Sequence, residues 1–268
     1  MKNIIVLLDI DGTLVDIMQR TNTDELPALI VDLHAKGVRF GLNSNRALED
    51  VVPVAERFGL GGPFILENGA CFMESLDVAP IPTTTLPEDI PSTVERIVRS
   101  DVARLYPEAT VECVDTTAMV TAKETTPGTH FYLNRFRKFS ASIHHRIDGT
   151  PCQDVAVALT TTLNCSFVEE KLPLVAVAHR HGATITVEIS GVDKGTGLNF
   201  LREKHPDAIL IAIGDGVGEI ALRSRVDKLY AVANAIPELK AVADDVSVEE
   251  ITRGVVDLLN KNVRPLVE

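Results

Sequence analysis

Two acids one residue apart, Asp9 and Asp11, close the run Ile4-Ile5-Val6-Leu7-Leu8-Asp9-Ile10-Asp11-Gly12-Thr13. Carboxylates that close repel unless a cation sits between them or one carries a proton. Gly12 allows a sharp exit turn, and Thr13 offers a hydroxyl and a backbone N–H. Ser44 lies in Asn43-Ser44-Asn45-Arg46, where a hydroxyl and adjacent N–H groups can bind a phosphoryl oxygen. Lys194, in Val192-Asp193-Lys194-Gly195, adds an ammonium that suits phosphate. Asp215 stands between glycines in Ile213-Gly214-Asp215-Gly216-Val217-Gly218-Glu219, with an acid four residues on. That pattern suits a divalent metal, and Mg2+ keeps several waters, so few carboxylates suffice.

Other readings of these glycines fail on spacing. A G-x-G-x-x-G dinucleotide fingerprint starting at Gly214 needs Gly at 219, where Glu stands. Lys194-Gly195-Thr196 lacks the Gly-rich lead of a P-loop.

The stretch from Ile4 to Thr13 resembles the first motif of the haloacid-dehalogenase-like phosphatases. Ser44 is similar to the second motif, Lys194 to the third, and Asp215 with Glu219 to the acidic motif that follows. The segments Glu67-Asn68-Gly69-Ala70 and Ala233-Asn234-Ala235-Ile236-Pro237-Glu238-Leu239-Lys240 resemble the sugar-phosphatase-like branch. The resemblance implies Asp9 as nucleophile and Asp11 as general acid/base. It implies Mg2+ held by Asp9, Asp215 and the backbone carbonyl of Asp11, with Glu219 in the outer shell. Gly12, Thr13, Ser44, Asn45, Arg46 and Lys194 then bind the phosphate or the substrate. The chain departs from the pattern at Gly218-Glu219, where Asn-Asp is usual, and at Ser44-Asn45-Arg46, where Thr-Gly-Arg is common. Glu is an acceptable longer carboxylate; the missing Asn amide removes a polar contact near the phosphate.

The implied reaction is Mg2+-dependent hydrolysis of a phosphomonoester through an aspartyl-phosphate. Its substrate would be a small phosphorylated metabolite, a sugar phosphate or a related phosphorylated acid. The same scaffold also serves phosphotransferases and mutases such as eukaryotic phosphomannomutases. A non-catalytic phosphometabolite-binding homologue is a third reading, to which Gly218 lends some weight.

The elements that must position these residues follow from periodicity. Ile4–Leu8 is apolar on both faces and reads as a buried parallel strand. Leu26, Leu29, Ile30 and Leu33 share one face of a helix capped by Thr23 or Asp24 and stopped by Gly37. Strand 38–42, a helix carrying Leu48, Val51, Val52, Ala55 and Phe58 with Pro53 inside it, and strand 64–66 continue the alternation. It resumes with helix 195–204, strand 208–213, a short strand 229–232 and an edge segment 246–248. Ligands of such open sheets bind where the strands end. The fold class predicted is α/β, a doubly wound parallel-sheet Rossmann-like core of residues 1–82 and 188–268.

Between the two halves the grammar changes. Residues 81–87, with Pro82 and Pro87, read as a linker. Segment 83–187 reads as an inserted α+β cap. It carries a helix at 91–105, strands at 110–114 and 118–122, and a helix opened by Thr150-Pro151 and running to Leu163. A hairpin of 172–179 with 183–189 turns at His181-Gly182. The resemblance likens this cap to those of sucrose-phosphate, mannosyl-phosphoglycerate and phosphoglycolate phosphatases, and implies that it selects the substrate.

Composition narrows the partners. A formal net charge of -12 argues against nucleic acid, whose phosphates need a basic surface. Within this acidic chain, segment 129–147 holds Arg135, Arg137, Lys138 and Arg146 and no acid. It is a solvated face or a lining for an anionic substrate. His144-His145-Arg146 and His179-Arg180-His181 read as solvated turns, since no Cys or acid cluster accompanies them. Cys71, Cys113, Cys152 and Cys165 form no C-x-x-C pair and read as reduced structural thiols. Asp9 and Asp11 interrupt the apolar start that would otherwise mimic a signal peptide, and no run reaches membrane-spanning length. The expectation is a soluble cytoplasmic protein, monomer or homodimer, with no membrane partner.

Overall fold

A computed structural model describes residues 3–85, 89–116, 127–179 and 184–268. The chain divides into two compact units, one running up to Thr83 and resuming over Val192–Glu268, the other Thr84–Gly191.

The first unit begins with β1 (Ile4–Leu8), all five side chains buried. Each is worth roughly 1.5–3 kcal/mol on burial, so this strand anchors the sheet. Helix α1 (Leu26–Ala35) buries Leu26, Leu29, Ile30 and Leu33. Its start differs from the expectation: Glu25 is the cap residue and no side chain caps the helix. Pro27 in the first turn presets the backbone instead. Strand β2 (Val38–Asn43) and helix α2 (Leu48–Phe58) follow. Pro53 lies inside α2 without ending it, and Gly59 closes the helix in the left-handed conformation. Next come β3 (Phe64–Leu66), a tight turn at Glu67–Gly69, β4 (Cys71–Met73) and β5 (Ile81–Pro82). The expected linker therefore starts later, because Ile81 and Pro82 pair with Phe72 and Cys71. Pro is tolerated there because β5 is an edge strand.

The second unit opens with α3 (Ile90–Leu105) and β6 (Thr110–Val114). The expected strand 118–122 and the turn at His181-Gly182 lie outside the described residues. Strands β7 (Thr129–Asn134) and β8 (Ala141–Ile147) form an antiparallel pair that the sequence reading did not assign. Helix α4 (Gln153–Glu169) begins after Cys152 and extends past Leu163, so Thr150 is not its cap. Strands β9 (Leu174–His179) and β10 (Thr184–Ile189) pair antiparallel. The sheet order is β6-β7-β8-β10-β9. Its apolar face buries Phe131, Leu133, Ile143, Ile185 and Val187, and both helices pack on this sheet. Strand pairing sets Arg146 against His130, and Ser142 and His144 against Thr186 and Thr184, on the opposite face. The solvated-turn reading of 144–146 is thus wrong: His145 and Arg146 are buried within β8.

The first unit resumes with α5 (Thr196–Lys204), β11 (Ile209–Gly214), a short helical turn at Val217–Leu222 and β12 (Lys228–Ala231). It ends with α6 (Pro237–Val242), β13 (Asp245–Val246) and α7 (Ile251–Leu258), the last unassigned from sequence. The order is β13-β12-β11-β1-β2-β3-β4-β5. It is parallel from β13 to β3 and antiparallel at β4 and β5. Leu8 lies opposite both Ile213 and Leu42, so the carboxyl ends of the three central strands finish level. No helix among the described residues is long and apolar enough to cross a membrane.

Candidate active site

Asp9 extends the central ladder by one bond, its N–H reaching the Ile213 carbonyl at 3.0 Å. The chain then doubles back: Gly12 N–H donates to Val15 O at 2.8 Å and Thr13 N–H to Ile10 O at 3.3 Å. Gly12 takes a φ of 86°, and a Cβ there would stand 2.1 Å from Oδ2 of Asp215. Only glycine fits both demands. The turn thus brings Asp9 and Asp215 together, and the Thr13 hydroxyl ties it to Oδ1 of Asp215 at 3.2 Å.

Lys194 reaches into this corner from the start of α5. Its Nζ donates to Oδ1 of Asp9 at 2.5 Å and to Oε1 of Glu219. Asp9 and Lys194 are each 7% exposed and Glu219 2%. Glu219 uses its other oxygen to accept the Gly216 N–H at 3.0 Å. The backbone of Lys194 is held by Asn43, whose Nδ2 donates to its carbonyl at 3.0 Å. Asp193 fastens the same turn, accepting from Gly195 N–H at 2.8 Å and from Arg225 Nη1 at 2.6 Å.

This packing sets the charge states. Burial pushes the Asp9 carboxyl up to about 8, and Glu219, Asp11 and Asp215 add to the push against the pull of Lys194. Burial, with the charge of Glu219, raises Asp215 to about 6, against the Thr13 hydrogen bond and Lys194. Burial disfavours the Lys194 ammonium, but Asp9 and Glu219 outweigh it and hold the proton more tightly than usual. The corner has more acids than cations to match them, which suits a bound cation.

Asp11 faces the other way. Its side chain is 58% exposed and is gripped by Arg46, with Nε at 2.9 Å from Oδ2 and Nη2 at 2.5 Å from Oδ1. The residual burial works against ionisation, but the Arg46 bonds and charge and the Gln19 amide hold this carboxyl below the usual range.

Two expected donors are already taken. The Thr13 N–H and the Ser44 N–H both serve the backbone, the latter donating to Ile65 O at 2.9 Å. Tight turns and ladder ends consume their own N–H groups, which leaves Ser44 its hydroxyl to offer a ligand, while the Thr13 hydroxyl is spent on Asp215. Ser44 is buried, and its Oγ accepts the Arg46 N–H at 3.2 Å. Asn45 is half-buried beside it. Gln19, Asn43 and Asn234 had no expected part; Asn234 donates to Gly12 O at 2.7 Å and so braces the turn. Neutral amides acting across the fold leave no spacing pattern to read.

Among the described residues no three His, Cys, Asp or Glu side chains group as a metal site. The corner instead offers two carboxylates, Asp9 and Asp215, that burial and neighbouring acids make reluctant to stay ionised without a compensating cation. Mg2+ takes one or two carboxylates plus carbonyl oxygen and water, so the donor set fits that ion. The side chains of Asp11 and Glu219 are committed to Arg46 and Lys194.

The model of a family described as haloacid dehalogenase-like hydrolase matches residues 6–259. A phosphoglycolate phosphatase of Saccharolobus solfataricus is 43% identical over 72 residues, a match spanning 26% of this chain and 31% of that relative. A phosphoglycolate phosphatase of Staphylothermus marinus is 27% identical over 262 residues, covering 94% of each chain. Among solved structures, a haloacid dehalogenase-like hydrolase from Bacteroides thetaiotaomicron superimposes with a TM-score of 0.72 at 18% identity. That match covers 97% of this chain and 99% of the other, and shares the fold.

Proposed function

Since this chain belongs to the haloacid dehalogenase-like hydrolases, we propose that it is a Mg2+-dependent phosphatase of a small phosphorylated metabolite. The observation that carries the reading is the convergence of Asp9, Lys194, Glu219 and Asp215 at the carboxyl ends of β1 and β11. Asp9 and Asp215, with the backbone carbonyl of Asp11, would hold Mg2+. When bound, the ion offsets the repulsion between an anionic nucleophile and a phosphomonoester dianion.

Asp9 supplies a carboxylate oxygen to phosphorus, and the bond from phosphorus to the leaving oxygen breaks. Lys194, fixed by Glu219, stands beside Asp9 and neutralises charge on the phosphoryl oxygens. The Ser44 hydroxyl serves the same oxygens. Asp11, once its carboxyl is freed from Arg46 and protonated, gives a proton to the departing alcohol, then takes one from the water that attacks the aspartyl-phosphate. Phosphate leaves and the Asp9 carboxylate is restored.

The leaving group is read by residues of the unit Thr84–Gly191. One face of its sheet is polar: His144 lies 3.2 Å from both Ser142 Oγ and Thr184 Oγ1, and His179 meets Thr186 at 2.8 Å. Arg146 is buried there, and among the described residues its Nε lacks a hydrogen-bond partner. These groups suit a leaving group that is hydroxylated or carries its own carboxylate, in keeping with a sugar phosphate or a phosphorylated acid. Phosphate release from an aryl phosphate and from phosphoglycolate, with Mg2+ and with chelator, tests the reading. Metal-dependent release is expected; no release from any phosphomonoester in the presence of Mg2+ would overturn it.

A further inference from the structure

Asp9 and Glu219 grip the tip of Lys194, but a long, rotatable side chain is aimed only if its root is held as well. That root lies in a tightly packed turn. The Thr196 N–H donates to Asp193 O at 2.8 Å, and the Asp193 N–H donates to Thr196 Oγ1 at 3.1 Å. The Asp193 carbonyl passes over Gly69, where a Cβ would stand 1.9 Å from the oxygen. Asn43 holds the Lys194 carbonyl.

The open side of the turn is closed by Arg225, just beyond the helical turn Val217–Leu222 that carries Glu219. Its Nη1 donates to Asp193 Oδ1 at 2.6 Å, the oxygen that also accepts the Gly195 N–H at 2.8 Å. Its own N–H is tied to Leu222 O at 2.8 Å. The guanidinium rests on the bare backbone of Gly195, where a Cβ would stand 1.7 Å from Nη1 and 2.7 Å from Cδ and Cζ. Gly195 has φ -79° and ψ -18°, a helical conformation open to any residue but proline. The missing side chain is thus needed to seat Arg225, not to turn the chain. One segment therefore holds Lys194 at both ends, with Glu219 on the tip and Arg225 on the root.

We propose that Arg225 is a positioning residue: seated on Gly195 and bonded to Asp193, it fixes the turn from which Lys194 reaches the phosphoryl oxygens. The proposal rests on the phosphatase reading of Lys194. The side chains of the Arg225–Asp193 pair are 33% and 43% exposed, so the pair adds little to stability. Its effect is on geometry, where a displacement of about 1 Å can slow a reaction by on the order of a hundredfold.

The test removes this contact from opposite sides, by Gly195→Ala and by Arg225→Ala, each in the full chain. The added methyl displaces the guanidinium, the flexible end of a side chain, and leaves the backbone unstrained. With an aryl phosphate and Mg2+, kcat is expected to fall about tenfold in each variant, with KM kept within about threefold and thermal melting little changed. The double variant is expected to be no slower than the poorer single one, because both changes act on one contact. An unchanged kcat in either single variant, or losses that multiply in the double one, overturns the proposal. If one variant does not fold, the other decides; failure of both to fold means a purely structural contact and also overturns it. If the parent protein releases no phosphate, it is the phosphatase reading that has failed. The acylation of Lys194 by an acid anhydride, followed by mass spectrometry, then decides. A rate raised about threefold or more in both variants supports the clamp, since a loosened turn exposes the amine, and a smaller change overturns it.

Discussion

Lys194 Nζ lies 2.5 Å from Oδ1 of Asp9, and the same ammonium is shared with Glu219. One buried cation thus separates Asp9 from a second carboxylate that would otherwise repel it. Lys194→Met leaves both acids enclosed without that cation, Glu219 keeping only its bond from the Gly216 N–H. A loss of about 3–5 kcal/mol is the usual cost of breaking such a buried pair. Urea unfolding without metal should show a loss of that order, partly recovered on adding Mg2+. A variant as stable as the parent would mean that the ion pair is not formed in solution.

Metal affinity should depend on pH in a definite direction. Asp215, raised to about 6, and Asp9, raised to about 8, both hold protons that a metal must displace. Affinity for Mg2+ should therefore climb as pH rises from about 5 to 8, with proton release on binding. Both folded-state values lie above the ordinary aspartate value of 3.8. The metal-free fold is thus favoured by these groups at low pH and loses that contribution as pH rises through 6 and then 8. Thermal melting between these limits, with and without Mg2+, checks both statements; a metal-free melting point that climbs with pH contradicts the second.

Glu219 serves two donors from opposite sides, Lys194 and the Gly216 N–H. Glu219→Asp shortens the side chain by one methylene and can keep one contact or the other. Turnover should drop by roughly tenfold with the fold retained, the size expected for a misplaced charge-stabilising group. Unchanged turnover would show that the longer acid is not matched to Lys194.

Arg146 is the sharpest test of the second unit. Its charge is buried, and among the described residues its Nε has no hydrogen-bond partner. Arg146→Met should lower kcat/KM for the natural substrate by at least about tenfold, the loss expected from one polar recognition contact, and barely affect an aryl phosphate. Arg135, exposed and paired with Asp115 at 3.3 Å, should be replaceable at little cost to either.

The parallel core was legible because its strands are apolar on both faces and its catalytic candidates sit where those strands stop. The antiparallel edge escaped notice because β4 and β5 are three and two residues long, too short for any period. β7 and β8 do alternate, with Phe131, Leu133 and Ile143 inward, but Arg135, Arg137, Lys138 and Arg146 made the whole stretch read as one basic segment. Asp9, Asp11, Lys194 and Asp215 were legible as charged residues in glycine-rich or strand-end settings. Gln19 and Asn234 were not, because each acts on a residue distant in sequence, from a loop whose path only the folded chain defines.

The central claim is that Asp9 attacks phosphorus. Mixing the protein with Mg2+ and a phosphomonoester carrying labelled phosphorus, then quenching in acid, measures this directly. Label should remain bound to the denatured parent chain. In Asp9→Asn both the label and turnover should vanish while the fold is kept. Retention of more than about a tenth of the activity in Asp9→Asn, where nucleophile losses usually span several decades, would contradict the account.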